Sequence, residues 1–162
     1  MRRIEALLDA ISSYTLYSQP DSLQYQFRNP LGLQQFCSHA QWFKNCPICR
    51  HNPPPNHHKY DDGRVAIRNY DLDTGMRIFR THMQGYQHAL QDLEIKCGDK
   101  SKSKVRGNSS IKELIRAYNL PDGTAVHVAR YLRKALADES INENTPINSF
   151  MTAREKEVAL AG

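Results

Sequence analysis

The sequence predicts a mainly α fold with a small α+β component, built around one long amphipathic helix. Apolar residues recur at helical spacing over about residues 73–96, which gives this helix. A dense cysteine–histidine cluster at about 36–68 suggests a second element, a zinc-stabilised module of loops and short strands. With 40% hydrophobic and 24% charged residues, the chain can bury a core around these elements.

The length of 162 residues predicts one compact domain. The sequence patterns divide it into four consecutive parts. N-terminal helices occupy 1–35, and the cysteine–histidine module with a proline-rich arm occupies 36–70. A helical region with a basic loop follows over 71–151, and 152–162 form a terminal helix or tail.

The start of the chain predicts a helix and no signal peptide. It is basic, but Glu5 and Asp9 interrupt the apolar stretch that a secretory leader would need. No apolar run is long enough to span a bilayer, so we expect a cytoplasmic protein without a membrane partner. In that compartment a C-x-x-C pair indicates metal or redox chemistry more often than a structural disulfide.

Three N-terminal helical stretches are expected, the last a short one at 31–36 that leads into the cysteine–histidine cluster. The first covers about 2–17, with an apolar stripe at spacings of three and four. The second is short, is capped by Ser18 or Asp21, and ends before Pro30. The apolar stripe of the first helix consists of Ile4, Leu7, Leu8, Ile11 and Tyr14.

The middle of the chain predicts an extended arm, a strand and then the long helix. Three consecutive prolines within 50–63 exclude a helix there, and 64–70 alternate like a strand. In the helix that follows, Gly85 indicates a close helix crossing. Its expected apolar stripe is Met76, Phe79, Met83, Tyr86, Leu90 and Leu93.

The sequence after this helix predicts a basic loop, a pair of helices and an extended connection. The loop covers 98–110, and Ser109 or Ser110 caps the first helix of the pair. We expect 139–150 to be the extended connection to the terminal helix. The inward residues of the second helix are expected to be Ala125, Val128, Ala129, Leu132 and Leu136.

The helix pair resembles a helix-turn-helix, with a short helix, a turn containing Gly123 and a longer helix. In that family the second helix lies in the major groove with its N-terminal residues on base edges. The resemblance would place Thr124 and His127 near the bases. The basic residues later in the helix would suit phosphates better than bases.

The cysteine–histidine cluster predicts one structural zinc ion. A C-x-x-C turn brings two thiolates to one point, and Cys46 and Cys49 form such a turn. Cys37 and a histidine would complete the tetrahedron, and we favour His57 or His58 as that histidine. Pairs of Cys37 with His39 or with His51 remain alternatives.

Three catalytic interpretations of the cluster are weaker. The CPIC sequence is similar to glutaredoxin-like redox motifs, but three prolines follow where those motifs open a helix. A zinc deaminase would need a glutamate where Gln41 stands. A metal-dependent nuclease would use His57, His58 and Asp61 or Asp62, although an Asp-Asp-Gly sequence after prolines is an ordinary turn.

Basic residues concentrate in 96–134, which contain ten basic and three acidic residues and so carry a charge of +7. The rest of the chain carries −2, which gives the net charge of +5. Such a segment predicts a polyanion partner, either DNA or RNA, and an ordinary solvated face is the alternative. The expected phosphate contacts are Lys100, Lys102, Lys104, Arg106, Lys112, Arg116, Arg130, Arg133 and Lys134.

These patterns lead to the hypothesis of a small zinc-stabilised nucleic-acid-binding protein. It would act as a regulator or as an accessory subunit of a larger nucleoprotein complex. The alternative is a protein-interaction module, adaptor or inhibitor that uses the proline arm with Trp42 and Phe43. The sequence has no complete set of acid, base and nucleophile, so an enzyme is the weaker prediction.

Overall fold

Helices dominate the structure, a computed structural model that describes residues 2–33, 76–98, 101 and 104–151. The prediction of a mainly α protein is confirmed. Within these residues no helix is both long and apolar enough to cross a membrane. The helices are α1 (Arg3–Ser12), α2 (Leu23–Gln26), α3 (His82–Cys97), α4 (Ile111–Ala117) and α5 (Thr124–Ala135), with 3-10 turns at Leu16–Ser18 and Ile147–Phe150.

Helix α1 lies at the centre of the core and packs on both α3 and α5. Its predicted apolar residues from Ile4 to Ile11 are fully buried, and Ala6 and Ala10 are buried with them. The helix ends at Ser12, five residues before the expected end. The hydroxyls and the backbone N–H groups of Ser13 and Thr15 donate to the Asp9 and Ser12 carbonyls, which closes the last turn without a longer helix.

The central helix α3 begins later than predicted. Residues 76–81 are not helical: Arg77 N donates to Leu33 O at 2.8 Å, and Phe79 N donates to Phe27 O at 2.9 Å. The helix starts only at His82, where the Thr81 hydroxyl accepts from the backbone of the first turn. Backbone pairing with residues 27–33 has therefore replaced the expected first turns, while 73–75 lie outside the described residues.

Asn29 fixes this pairing from inside the protein. Its side chain is fully buried, and its Nδ2 donates to Leu33 O at 2.9 Å and to Arg77 O at 3.0 Å. Its Oδ1 accepts from Leu33 N at 2.8 Å. One amide therefore bonds three backbone groups, and Leu33 O also accepts from Arg77 N, so the side chain and the backbone hold the two segments together.

The buried face of α3 matches the predicted stripe only in part: Leu93 is buried, and Tyr86 and Leu90 pack partly buried against the core. Gly85, Ala89, Leu93 and Cys97, each four residues after the last, are buried, whereas Met83 is 64% exposed. Small residues dominate this face because α3 approaches its neighbours closely. A Cβ on Gly85 would come within 1.7 Å of the Arg28 carbonyl oxygen, so the expected close crossing exists but is with a loop and not with a helix.

Helices α4 and α5 form the predicted pair. Ser110 caps α4 in a capping box, in which its hydroxyl accepts from Glu113 N and the Glu113 carboxylate accepts from Ser110 N. The turn between the helices includes Asn119 at φ 58°. The inward residues of α5 are buried as expected, with Leu136 partly buried at the edge of the core.

The sequence predicts segment 139–150 as an extended connection, and the structure differs in that the segment ends in a 3-10 turn and contributes side chains to the core. It returns to the start of α4, where Ile111 N donates to Thr145 O and Ile147 N donates to Ser109 O. Ile147 and Phe150 are fully buried. The guanidinium of Arg3 lies 5.4 Å from the centre of the Phe150 ring, which ties α1 to this segment.

Several predicted elements lie outside the described residues. They are the cysteine–histidine module at about 36–68, its proline arm, the strand at 64–70 and the terminal helix at 152–162. The structure therefore bears on the helical part of the prediction and leaves the zinc-stabilised module as an expectation.

Candidate nucleic-acid interface

Seven of the nine predicted phosphate-contact residues are described, and they fall on three elements. Lys100 and Lys102 lie outside the described residues, and Lys104 and Arg106 lie in the loop before α4. The rest lie on the two paired helices, Lys112 and Arg116 on α4 and Arg130, Arg133 and Lys134 on α5.

Arg116 already has a carboxylate partner. Its Nε and Nη2 donate to the two carboxylate oxygens of Asp122 at 2.9 and 3.4 Å, across the turn between the helices. The hydrogen bond and the positive charge of Arg116 lower the pKa of Asp122, and the same interaction raises the pKa of Arg116. Much of the charge of Arg116 is therefore balanced locally.

Arg133 has a structural contact. Its Nη1 donates to Ile141 O at 2.8 Å, in a partly buried position. This bond attaches the end of α5 to the segment that returns toward α4. The charge of Arg133 still contributes to the local field, but its guanidinium is held against the protein.

Four predicted residues remain exposed without such a contact. The side chains of Lys104, Arg106, Arg130 and Lys134 form no hydrogen bond or ion pair with the described part of the chain. Lys112 is half-buried, and its charge helps to lower the pKa of Asp122. Charges that no carboxylate balances are the ones a phosphate backbone can use.

The exposed side of α5 combines these charges with aromatic rings. We call His127, Arg130, Tyr131 and Lys134, together with Tyr14 beside them, the α5 face. The four helical residues are spaced three and four apart, so they share one side of the helix. The Tyr14 and His127 rings stack with centroids 5.7 Å apart and planes 26° from parallel. No acidic residue occurs in α5.

Sequence reasoning missed both tyrosines of this face. Tyr14 fits the apolar spacing of α1 and was expected to point inward, but it lies beyond the end of the helix and is 43% exposed. Tyr131 is 37% exposed. Its position one turn after His127, on the polar side of an amphipathic helix, was the available signal.

No protein-family model, curated protein or solved structure matches this chain. The arrangement on α5 therefore has to be interpreted from its own chemistry. Basic side chains without partners can bind phosphates, and exposed aromatic rings can stack on planar groups.

A polar cluster joins α3 to the end of α4 and engages Lys96, one of the ten basic residues of 96–134. Lys96 Nζ and the Tyr118 hydroxyl both donate to Asp92 Oδ2, each at 2.7 Å. Lys96 Nζ also lies 5.1 Å from the centre of the Tyr118 ring. Burial raises the pKa of Tyr118 well above its usual value, and the charge of Asp92 raises it further, so the phenol stays protonated and the cluster is structural.

The candidate zinc ligands Cys37, Cys46, Cys49, His57 and His58 lie outside the described residues. Within the described ranges, no group of three or more histidine, cysteine or acidic residues could hold a metal ion. Cys97 is a free, buried thiol, and burial raises its pKa to about 12. A thiol that stays protonated is a poor ligand, because zinc binds the thiolate.

Proposed function

We propose that the protein binds nucleic acid through the α5 face and the basic loop before α4. It would serve as a regulator or as an accessory subunit of a nucleoprotein complex. The observation that carries the proposal is the set of exposed, unbalanced charges on α5. Arg130 and Lys134 lie on a helix without acidic residues, and none of the described side chains neutralises them.

The loop before α4 would extend the contact along the nucleic-acid backbone. Lys104 and Arg106 are exposed and precede the capped start of α4. Lys100 and Lys102 belong to the same basic segment and are proposed as further phosphate contacts. Each phosphate neutralised releases condensed counterions, so affinity would fall steeply as salt rises.

Charge reversal on α5 tests this proposal. We expect Arg130→Glu to weaken binding at least roughly tenfold at low salt, because it replaces a phosphate contact with a repulsive charge. The slope of log affinity against log salt should become shallower by about one. Fluorescence anisotropy with labelled DNA and RNA oligonucleotides over a salt series measures both quantities.

Arg80→Glu is the matched control. Arg80 is exposed and lies just before α3, so this variant changes the net charge by the same amount without altering a residue of the α5 face. It should bind almost as tightly as the wild type. The proposal is wrong if the wild type does not bind at low salt, or if the two reversals weaken binding equally.

The proposal includes one structural zinc ion held by Cys37, Cys46, Cys49 and either His57 or His58. The C-x-x-C spacing of Cys46 and Cys49 supports it. Such an ion would couple the folding of its segment to metal binding.

Elemental analysis of purified protein tests the metal site. We expect about one zinc per chain in the wild type and its loss in Cys46→Ser, because structural zinc needs all four ligands. Cys97→Ala is the control, since it removes a thiol that lies in the helical core, and it should keep its metal. A wild type without zinc would contradict the proposal.

A protein-interaction module is the second candidate, favoured by exposed apolar side chains outside α5. Leu16, Leu23 and Met83 are 57%, 49% and 64% exposed. Their elements are neighbours, because the ring of His82 contacts those of Tyr17 and Tyr25. Exposed apolar patches often mark protein interfaces. An adaptor of this kind would show no salt-dependent affinity for nucleic acid.

A further inference from the structure

We infer that the α5 face takes single-stranded nucleic acid, whose bases stack on its aromatic rings while its phosphates contact the basic side chains. This inference rests on the proposed function and names the substrate class of the same site. It starts from the alternation of aromatic and basic residues along one side of α5.

The aromatic residues form two exposed positions. The stacked rings of Tyr14 and His127 make one, and Tyr131 makes the other, one helical turn further along. Tyr14 and Tyr131 keep 43% and 37% of their surface exposed. Rings left in water at adjacent turns provide successive stacking surfaces, which is how proteins hold unpaired bases.

The basic residues are placed to follow the backbone of such a strand. Along the helix, Arg130 comes after His127 and directly before Tyr131, and Lys134 follows one turn after Arg130. Both side chains are exposed and form no ion pair within the described residues. Because α5 contains no acidic residue, nothing on this helix repels a phosphate. A positively charged surface with interspersed aromatic rings is typical of single-strand binding.

The same geometry disfavours a duplex. A recognition helix reads bases with its N-terminal half, which here offers Thr124 and His127. The imidazole of His127 is stacked on Tyr14, and α1 packs along α5. Tyr14 therefore lies against the half of α5 that would have to enter the major groove. The resemblance to a helix-turn-helix then describes the packing of the pair and not its mode of binding.

Anisotropy titrations at low salt test the inference. The probes are a labelled oligo(dT), an oligo(U) of equal length and a duplex of the same length. We expect both single strands to bind at least roughly tenfold more tightly than the duplex, since a duplex keeps its bases stacked internally. Comparing the two single strands shows whether DNA or RNA is preferred through the sugar hydroxyl.

Variants of the two tyrosines identify the stacking contribution. Tyr14→Leu and Tyr131→Leu should each weaken single-strand binding by roughly 5- to 100-fold, whereas Tyr14→Phe and Tyr131→Phe should stay within about twofold of the wild type. Tyr25→Leu should leave affinity unchanged, because Tyr25 packs with Tyr17 and His82 and is not part of the α5 face. Thermal unfolding of each variant verifies that it is folded.

The outcomes separate this inference from the proposed function. If the protein binds no probe, both are wrong. If Arg130→Glu weakens binding while the leucine variants bind like the wild type, or if the duplex binds as tightly as the single strands, nucleic-acid binding stands and stacking on the α5 face is overturned.

Discussion

The Gly85→Ala substitution is expected to lower the free energy of unfolding by at least about 2 kcal/mol. The new Cβ would come within 1.7 Å of the Arg28 carbonyl oxygen and 3.3 Å of Pro30 Cδ. The obstacle is backbone, so no side-chain rotation can relieve it, and α3 or the loop at 28–30 must move. Alanine is the better helix former by about 1 kcal/mol, which offsets only part of this cost.

Gly123→Ala is the control for this prediction. Nothing lies within 4 Å of a Cβ at this position, and its φ of −61° is one that alanine adopts easily. We expect a neutral effect or a gain of up to about 1 kcal/mol, because alanine restricts the unfolded chain. Urea unfolding followed by circular dichroism measures both variants, and equal midpoints would show that α3 does not pack so closely on the loop.

The Phe150→Ala substitution should cost about 3–5 kcal/mol, the range for removing a buried aromatic side chain. Phe150 is fully buried and is among the largest side chains of the core. Its loss would leave a cavity beside α1 and would remove the ring beneath the Arg3 guanidinium. For a domain of ordinary stability this is a large share of the total.

Ile95→Ala is the matched comparison, since it also truncates an apolar side chain, but one that is 54% exposed on α3. It should change stability by no more than about 0.5 kcal/mol. Differential scanning calorimetry of the two variants gives the difference directly. If Phe150→Ala melted like Ile95→Ala, the segment 138–151 would not be part of the cooperative core.

The elements that the sequence predicts well are those specified by nearby residues. Apolar spacing within single helices identifies the buried residues of α1 and α5. The start of α4 follows from Ser110 and Glu113, which are three residues apart and form its capping box. These interactions join residues within one or two helical turns of each other, so residue spacing in the sequence is enough to predict them.

The errors come from partners that are distant in the chain. Met76 and Phe79 fit the spacing of the following helix, yet backbone bonds to Phe27 and Leu33 hold their segment extended. Ile147 and Phe150 are not part of a periodic apolar pattern. They are buried because backbone hydrogen bonds to residues 107–111 bring their segment back onto the core. Neither pairing leaves a local signal.

The candidate interface divides in the same way. The excess of basic residues is visible in the sequence, and so is the position of some of them on the second helix of the pair. The partners of Arg116 and Arg133 are not, because Asp122 and the Ile141 carbonyl become neighbours only after folding. The stack of Tyr14 on His127 likewise joins residues that the sequence separates by most of its length.

The Asn29 contacts have a consequence for the architecture of the whole chain. They hold the carbonyls of Leu33 and Arg77 on one side-chain amide, with a backbone bond between these two residues. The described residues on either side of 34–75 are therefore neighbours. Because these two points already meet, a change in the length of the chain between them should cost the helices little conformational entropy.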